Sequence, residues 1–534
     1  MNDKDNTPDD QIDAEFRWQM PEAFNFASDV VDRWAADPSK LALLAENAAG
    51  DQQSFTYAQV SRLSCQLANL LVNQGIQQGD RVIVMLPRIP QWQIAMTAVL
   101  RMGAIPIPCI TMLTTKDLAY RAEHAGAKGI ITIAPECPKF DTIDSLQTRI
   151  CVGEAPTGWV GLSEADALPE SFEAATVGID DPAIMYYTSG STGNPKGVTH
   201  ASRALWAWKN SAEHWLDLGP GDRIWCTADT GWSKAGTSIL FGPWSRGTAV
   251  LFYDGPFEPA KRFDLLSRHQ ITCFCAAATE LRQLVLEDAS QYDLSTLRQT
   301  VSAGESVNPE ILTRWKALTG TYVLDGYGQT ETLMTITNRP GREVKAGSMG
   351  RPLPGVECAV RTGDDEAQSR GATGELLIGL PNPQVMLGYW QDPERTASTQ
   401  VTIQGREWFA TGDNVEIDSE GYVFFTGRAD DIINSSGYRI GPQEVENALS
   451  GHPAVRECAV VGIPDEERGE LVKAWIVLKD GFTGNDALTA ELQNHVKAST
   501  APYKYPRRIA FAADLPKTVT GKIRRNVLRA KDET

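Results

Sequence analysis

Short apolar runs alternate with amphipathic segments along the first two thirds of this chain of 534 residues. The runs are rich in β-branched residues and bounded by glycine or proline, which predicts buried strands, whereas the segments between them have helical periodicity. Strands are predicted over 81–86, 104–109 and 128–133, with helices over 57–74 and 91–102. Because strand–helix–strand repeats of this length favour parallel sheets with helical layers, we predict an α/β fold.

The same pattern resumes over 181–341 and then gives way to two other textures. Strands are predicted over 183–188, 223–226, 248–252, 272–277 and 300–302, with helices over 262–269 and 280–287. Frequent glycine and proline with short alternating runs over 347–426 predict a small β-rich unit. After residue 427, helices over 443–449 and 486–497 and strands over 458–463 and 474–478 predict a separate small α+β domain.

The predicted architecture is a large N-terminal domain of two α/β layered subdomains plus a small β-rich subdomain, followed by a small α+β C-terminal domain. We assign residues 1–25 to an N-terminal extension, 26–429 to the large domain and 430–534 to the small one, with the joint near Asp430. The acidic first residues are expected to be frayed or loosely docked.

The balance of charge limits the partners of this protein. Its net charge of −18 repels nucleic acid and anionic membrane surfaces, so an anionic ligand would need local basic sites. No apolar run approaches the ~18 residues of a membrane span, and the N-terminal MNDKDNTPDD has neither signal-peptide nor transit-peptide composition. The nine cysteines are scattered, which is typical of a protein in a reducing compartment, so we expect a cytoplasmic protein. The six histidines are dispersed as well, so a metal cluster is poorly supported.

The sequence YTSGSTGNPKG, residues 187–197, directly follows an apolar run. Small hydroxyl-bearing residues and glycines make a loop whose backbone N–H groups can converge on an anion, and Lys196 adds a positive charge at its end. The loop is not a Walker A motif, because Lys196 is followed by glycine rather than serine or threonine. The alternative, a flexible linker, is disfavoured by the preceding strand and the single lysine.

Three further motifs carry groups that suit a nucleotide. DGYGQTET, residues 325–332, puts Thr330 beside Glu331, a hydroxyl and a carboxylate that can bind a phosphate and Mg²⁺. TGD, residues 411–413, ends in Asp413, which can bridge ribose hydroxyls, and Arg428 follows fifteen residues later. PKTVTGKIRR, residues 516–525, carries Lys522 within a stretch, 504–531, of nine basic residues and one acid. Singly, these motifs also fit polar turns and a solvated basic face.

In this order and spacing, the four motifs resemble the adenylate-forming superfamily, which includes acyl-CoA synthetases, luciferases and the adenylation domains of peptide synthetases. The resemblance covers about residues 25–530. It implies that a carboxylate attacks the α-phosphorus of ATP, pyrophosphate leaves, and the acyl group passes to a thiol. Because two anions must meet, charge neutralisation and positioning would do most of the work, and no side-chain nucleophile is required.

The resemblance also implies which residues serve ATP. The implied catalytic residues are Lys522, Lys196, Thr330, Glu331 and Arg428, with Glu331 holding Mg²⁺, Thr330 at the α-phosphate and Lys522 reaching both the acid and the α-phosphate. The residues implied around the phosphates, adenine and ribose are Thr188, Ser189, Gly190, Ser191, Thr192, Gly193, Lys196, Gly304, Glu305, Asp325, Gly326, Tyr327, Gln329, Thr330, Asp413, Arg428 and Lys522.

The C-terminal sequences GRADDIINSSGYRIGPQEVE and YPRRIAF most resemble medium-chain acyl-CoA synthetases. By that resemblance the small domain is a mobile lid hinged at Asp430, and its segment 436–439 replaces the Lys522 loop for the second step. Coenzyme A is the implied acyl acceptor, which would explain the basic tail. The implied coenzyme A residues are Ser436, Gly437, Tyr438, Arg439, Arg468, Tyr505 and Arg507.

One position indicates the size of the acid. Acetate-specific relatives carry tryptophan immediately before the glutamine of QTET, where this chain has Gly328. We therefore expect a longer acyl pocket, lined by Trp232, Lys234, Gly328 and Leu333, and a medium-chain, branched or aromatic substrate. Gly328→Trp is then expected to shift the preference toward acetate or propionate. For Trp232, core packing is an alternative to a place in the pocket.

Two other functions fit parts of the sequence. Transfer of the acyl group to a carrier-protein thiol is disfavoured by the segment that resembles a coenzyme A site. A nucleotide-binding regulator without catalysis is disfavoured by the intact Lys522, Glu331 and Asp413. The oligomeric state is left open by the sequence.

Overall fold

The computed structural model describes residues 13, 15–188, 194–305, 307, 309–428, 431, 433–435, 438–465, 468–500, 502–517 and 523–531, with the backbone alone at 434, 438, 439 and 502. Outside this part lie the expected site residues Ser189, Gly190, Ser191, Thr192, Gly193, Asp430, Ser436, Gly437 and Lys522. The chain divides into a first compact unit, Met1–Glu357 with Pro381–Thr399, and a second, Cys358–Leu380 with Gln400–Thr534.

The largest described sheet of the first unit has nine strands. Its central strands are parallel, and antiparallel strands complete both edges. In spatial order the strands are Arg351–Pro352, Leu333–Thr337, Val323–Gln329, Gln299–Ala303, Cys273–Cys275, Arg223–Cys226, Ala249–Asp254, Leu41–Asn47 and Gln52–Thr56. The strands predicted between 223 and 302 are confirmed, and Cys273 and Cys275 are buried among core side chains.

Two smaller sheets complete the first unit in the described residues. One is wholly parallel, with the strands Ile105–Pro108, Arg81–Met85, Gly129–Ile133, Thr148–Val152 and Val160–Gly161 in spatial order. The other is antiparallel, in the order Gly388–Tyr389, Lys196–Ala201 and Pro182–Thr188. The β-rich texture predicted over 347–426 is confirmed, but its strands belong to three different sheets because two short strands complete sheet edges formed by distant segments.

Helix Tyr57–Asn73 illustrates how local sequence fixes an element. Thr56 Oγ1 accepts from the Gln59 N–H (3.2 Å) and Gln59 Oε1 accepts from the Thr56 N–H (2.8 Å), a reciprocal cap at the first turn. Its apolar face, with Leu67 and Leu71, is buried as predicted. The other helical segments described in the first unit are Ala27–Asp32, Arg33–Ala35, Pro90–Arg101, Thr115–Ala125, Ala134–Phe140, Leu162–Ala167, Ser202–His214, Ser233–Ser238, Phe241–Ser245, Pro259–Arg268, Ala278–Leu284, Pro309–Thr319 and Pro393–Ser398.

The second unit contains two sheets in the part that is described. Strands Glu366–Gln368, Cys358–Gly363, Ala372–Gly379, Arg406–Ile417 and Gln400–Ile403 form an antiparallel sheet that Val423–Arg428 joins beside Arg406–Ile417. Strands Tyr438–Ile440, Ile433–Ser435, Gly469–Leu478 and Val455–Asp465 form the other, with Arg508–Phe511 parallel to Gly469–Leu478. Its helical segments are Pro442–Ser450, Asp486–Ser499, Pro502–Lys504 and Arg525–Ala530, in agreement with the predicted α+β pattern.

The described part of the N-terminal extension is docked, which corresponds to the second of the two expected alternatives, frayed or loosely docked. Asp13 pairs with Arg339 (2.6 Å) and Arg342 (3.3 Å), and Trp18 Nε1 donates to the Gly355 carbonyl (2.9 Å). The domain boundaries 1–25, 26–429 and 430–534 stay a prediction, since the compact units divide at other residues. Among the described helices, none combines the length and apolarity needed to cross a membrane.

Candidate active site

The strands Pro182–Thr188 and Lys196–Ala201 form the hairpin that carries the expected phosphate loop. Their register pairs Thr188 with Lys196, so these two expected residues stand where the loop leaves the sheet. A cavity of about 280 Å³ opens here, with Lys196, Arg395 and Asp392 among its lining residues. Arg395 pairs with Asp392 (3.3 Å), so with Lys196 these three groups sum to one positive charge, which favours an anionic ligand at this cavity.

The short strand Gly388–Tyr389, which local patterning did not reveal, is the third strand of this sheet. Tyr389 pairs with Val198, and the Trp390 N–H donates to the Gly197 carbonyl (2.7 Å). The ring of Tyr389 lies beside the phosphate-loop lysine, with Lys196 Nζ 5.0 Å from its centroid. The strand lies within the apolar run VMLGYW, residues 385–390, and its two residues are too few to show the alternation of a strand.

The residues Gln329–Thr332 form a tight turn between two antiparallel strands. The Gln329 N–H donates to Thr332 Oγ1 (3.2 Å), and the Thr332 N–H donates to the Gln329 carbonyl (3.3 Å). Leu333 follows with a left-handed φ of +54°, a conformation that costs a non-glycine residue about 1–3 kcal/mol and is frequent at functional sites. The turn therefore presents Thr330 and Glu331 in a defined geometry.

Gly328 stands where the chain leaves no room for a side chain. A Cβ atom there would lie 2.0 Å from the Leu333 carbonyl oxygen, because the strand register shifts between Tyr327 and Gly328. A tryptophan at 328 would have to displace the Leu333 backbone. The expected shift of Gly328→Trp toward acetate or propionate therefore requires a backbone movement at Leu333 and stays a prediction, as do the pocket roles of Gly328 and Leu333.

Side chains from three distant elements hold the turn. His200 Nε2 lies 2.6 Å from the Thr330 carbonyl, and Ser233 Oγ lies 3.2 Å from Thr330 Oγ1. The Tyr389 hydroxyl donates to Glu331 Oε1 (2.9 Å). The structure therefore brings the expected phosphate-loop strand and the expected Mg²⁺ carboxylate together, through His200 and Tyr389, neither of which the motifs singled out.

His200 is fully buried, and burial lowers its pKa to about 4 against the opposite effect of its bond to the Thr330 carbonyl. Because a carbonyl only accepts, Nε2 carries the proton of the neutral ring. At neutral pH the histidine is therefore an uncharged donor that holds Thr330.

The burial of neutral His200 predicts an acid-labile component of stability. The folded pKa of about 4 lies below the ordinary value near 6.5, so between these pH values the unfolded chain binds one more proton. Stability is then expected to fall as the pH falls from 6.5 to 4, by up to about 1.4 kcal/mol per pH unit. Denaturant unfolding at several pH values would measure this slope. In His200→Phe the slope of the unfolding free energy against pH should be smaller by the contribution of one proton. An unchanged slope in the variant would contradict the assignment.

The expected adenine residues meet at the carboxyl edge of two parallel strands. The register pairs Ala303 with Gly326, so Gly304 and Glu305 leave one strand beside Asp325 and Gly326 on the other. Gly304 has a φ of +92°, which permits the sharp turn at the strand end. Crevices outside the carboxyl ends of such strands are the usual ligand sites of open α/β sheets.

Lys234 and Asp325 are partly buried ionisable groups at this edge. Lys234 lies two residues after Trp232, and its Nζ donates to the Ala303 carbonyl (3.1 Å). Burial raises the pKa of Asp325 to about 7, although the hydrogen bond from the Gly326 N–H (2.9 Å) and the positive charge of Lys234 both act to lower it. Burial acts to lower the pKa of Lys234, but the net shift is upward because nearby thiols and carboxyls raise it, with Cys275 contributing most among them. Lys234 therefore keeps its charge, and Asp325 can donate or accept a hydrogen bond near neutral pH.

Trp232 belongs to the wall of the parallel sheet. Its partly buried ring packs against an apolar cluster that includes Cys109, Ile110 and Leu113. Core packing and a place in an acyl pocket both fit this position, so the pocket role of Trp232 stays a prediction.

The second unit carries the remaining expected residues that are described. Asp413 and Arg428 are register partners on adjacent strands, with Arg428 Nη1 3.7 Å from Asp413 Oδ1. Arg507 Nη1 donates to the Tyr505 hydroxyl (2.6 Å), so these two candidates for coenzyme A adjoin each other. Arg468 lies at the start of strand Gly469–Leu478, where its N–H donates to Asp465 (3.0 Å).

These features indicate a class of enzyme that joins a nucleotide to an acid. Comparison with known proteins identifies the family within this class. The AMP-binding enzyme family matches residues 31–390, and the AMP-binding enzyme C-terminal domain matches 444–522. The mitochondrial acyl-coenzyme A synthetase ACSM4 of Rattus norvegicus is 40% identical over 530 residues, covering 96% of this chain and 91% of its own. The uncharacterized acyl–CoA ligase YtcI of Bacillus subtilis (strain 168) is 41% identical over 520 residues, covering 96% of this chain and 97% of its own.

A solved structure supports the same relationship. The anthranilate CoA ligase AuaEII, crystallised with anthranoyl-AMP, superimposes with a TM-score of 0.86 at 31% identity, covering 96% of this chain and 98% of that one. The chain belongs to the AMP-binding enzyme family. It is an acyl-CoA synthetase that uses ATP, Mg²⁺ and coenzyme A to convert a carboxylic acid into its acyl-AMP and then its thioester.

Proposed function

We propose that the acid is a medium-chain, branched or aromatic monocarboxylic acid, and that Lys196, Thr330 and Glu331 form the phosphate and metal side of the site. The observation that carries the site assignment is their common contact with one tyrosine: Lys196 lies against the Tyr389 ring and Glu331 accepts from its hydroxyl. A cation for phosphate and a carboxylate for Mg²⁺ thus adjoin each other, as binding of a metal–triphosphate requires.

The first half-reaction forms the acyl-adenylate. An oxygen of the acid attacks the α-phosphorus of ATP, and the bond to pyrophosphate breaks. Mg²⁺, when bound, neutralises charge on the phosphate oxygens. Lys196 would orient the leaving phosphates, Thr330 would donate its hydroxyl to the α-phosphate, and Lys522 would bridge the acid and the α-phosphate. These residues act through charge and position, since no covalent enzyme intermediate is needed.

The second half-reaction forms the thioester. The sulfur of coenzyme A attacks the acyl carbonyl, and AMP leaves. Tyr505, Arg507 and Arg468, with the 436–439 segment, are the proposed contacts of coenzyme A. An arginine suits this task because its planar fork pairs with phosphate oxygens.

The proposed acid class rests on the residues that would surround its body. Trp232 and the apolar cluster behind it offer an apolar wall, and AuaEII, a neighbour of similar fold, acts on an aromatic acid. We also propose a cytoplasmic location: all nine cysteines lie among the described residues and none of them forms a disulfide, which fits a reducing compartment.

AMP release across a panel of acids, from acetate to decanoate with branched and aromatic members, tests this function. We expect AMP formation that requires both Mg²⁺ and coenzyme A, with acetate at least about tenfold poorer in kcat/KM than the best acid, since several methylenes contribute about 1–3 kcal/mol each. Acetate as the best substrate would overturn the proposed acid class. ATP–pyrophosphate exchange without coenzyme A-dependent AMP would overturn the proposed coenzyme A contacts and point to a carrier protein.

A further inference from the structure

The side chain of Tyr389 connects two groups to which the proposed function gives separate tasks. Its hydroxyl donates to Glu331 Oε1 (2.9 Å), and its ring has Lys196 Nζ 5.0 Å from the centroid. The second distance lies within the ~6 Å over which an ammonium is attracted to an aromatic face. One residue therefore contacts both the expected metal carboxylate and the expected phosphate cation.

Backbone contacts place Tyr389 independently of its hydroxyl. Its strand pairs with Val198, its N–H donates to Thr396 Oγ1 (2.9 Å), and the next residue, Trp390, donates to the Gly197 carbonyl (2.7 Å). A phenylalanine at 389 would keep all of these contacts. The hydroxyl can therefore be removed without moving the ring.

The chain segment 386–390, which contains Tyr389, is also hydrogen-bonded to the turn that carries Glu331. The Met386 N–H donates to the Glu331 carbonyl (2.8 Å), three residues before Tyr389. The segment 386–390 thus bonds both to the strand that begins at Lys196 and to the Glu331 turn. The spacing between phosphate cation and metal carboxylate is set by one continuous piece of chain.

We propose, resting on the function given above, that Tyr389 is a positioning residue for the metal–ATP complex. Its hydroxyl donates to one oxygen of Glu331 and so orients the carboxylate, whose other oxygen would be the ligand for Mg²⁺. Partners of this kind orient metal ligands throughout metalloproteins, and their loss typically lowers metal affinity on the order of 10–100-fold. Its ring orients the Lys196 ammonium toward the phosphates.

The two tasks of Tyr389 are separable by calorimetric titration of ATP, with excess Mg²⁺ and with EDTA, into the full-length enzyme. Tyr389→Phe is expected to leave metal-free ATP affinity unchanged and to reduce the affinity gained from Mg²⁺ on the order of tenfold. Tyr389→Leu should in addition weaken metal-free ATP binding roughly 2–5-fold, as lost cation–π contact predicts. Binding, not turnover, is the readout, so a slow chemical step does not mask the result.

Tyr322→Phe is the matched control, because Tyr322 is exposed and makes the same kind of contact with Lys316, whose Nζ lies 3.8 Å from the ring centroid. It should leave both affinities unchanged. An unaltered Mg²⁺-dependent gain in Tyr389→Phe, while Glu331→Gln abolishes that gain, would overturn the Tyr389 proposal alone. If Glu331→Gln also retains the full gain, the assigned metal role of Glu331 fails instead. Should Tyr389→Leu not fold, Tyr389→Phe still decides the hydroxyl's task.

Discussion

Glutamine in place of Glu331 is expected to slow acyl-adenylate formation on the order of 10²–10³-fold, the usual effect of removing one preorganised electrostatic group. The amide has nearly the same shape as the carboxylate, and its oxygen can still accept from the Tyr389 hydroxyl. In the native protein this hydroxyl lies 2.9 Å from Glu331 Oε1. The Met386 bond to the Glu331 backbone also survives. What disappears is the negative charge offered to Mg²⁺. ATP–pyrophosphate exchange at saturating acid, measured over a range of Mg²⁺ concentrations, reports the loss.

A surface carboxylate of the same unit provides the control for this experiment. Glu310 pairs with Arg314 (2.8 Å) on helix Pro309–Thr319, and its side chain is 60% exposed. Glu310→Gln should leave the exchange rate unchanged, since exposed pairs of this kind contribute little. Exchange by Glu331→Gln at the wild-type rate, at every Mg²⁺ concentration, would remove Glu331 from the metal site.

Local sequence pattern was sufficient for the elements that have their own signals. The strands Arg223–Cys226 and Arg81–Met85 and the helix Tyr57–Asn73 agree with the predicted ranges to within one residue at each end. Arg81–Met85 is an apolar, β-branched run bounded by Gly79 and Pro87, Arg223–Cys226 is a short apolar run after Gly221, and the helix has a capped apolar face. Among the motif residues, Thr188 pairs with Lys196 and Asp413 pairs with Arg428 on adjacent strands, while their roles toward ATP stay predictions.

The contacts that hold the site together had no local signal. His200 reaches Thr330 across 130 residues and Tyr389 reaches Glu331 across 58. Gly388–Tyr389 has only two residues, too few to show the alternation of a strand, and it exists because an edge of the phosphate-loop hairpin accepts it. Such pairings depend on tertiary packing rather than propensity.

Gly328 shows a different limit of sequence reasoning. The sequence predicts that the missing side chain leaves room in the acyl pocket, whereas a Cβ atom on this backbone meets the Leu333 carbonyl oxygen (2.0 Å) beside a register shift between two strands. Since side chains alternate across a strand, one such shift turns a position from one face of a sheet to the other. The residue type therefore predicted a constraint, and the structure assigns that constraint to the Leu333 backbone.

Alanine in place of Lys522 is expected to separate the two half-reactions. By the family resemblance this lysine serves adenylation only, bringing positive charge to the acid and the α-phosphate where the two anions meet. Adenylation should fall on the order of 10³-fold, whereas thioester formation from supplied acyl-AMP and coenzyme A should stay within about threefold of the wild-type rate. Pyrophosphate release and thioester formation, each followed in single turnovers, measure the two steps.

The residues on either side of the Lys522 loop supply a matched control. Lys517 and Ile523 form a bridge between antiparallel chain segments, and the Arg524 N–H donates to the Pro516 carbonyl (2.8 Å), so both ends of the loop are tied together by backbone contacts. Lys517 lies five residues before Lys522 in the sequence and pairs with Glu457 (2.9 Å). Lys517→Ala should therefore leave both steps unchanged. Equal loss of both steps in Lys522→Ala would mean that the lysine supports the fold of the loop or acts in both reactions, because a charge used only for adenylation cannot slow a step that starts from acyl-AMP.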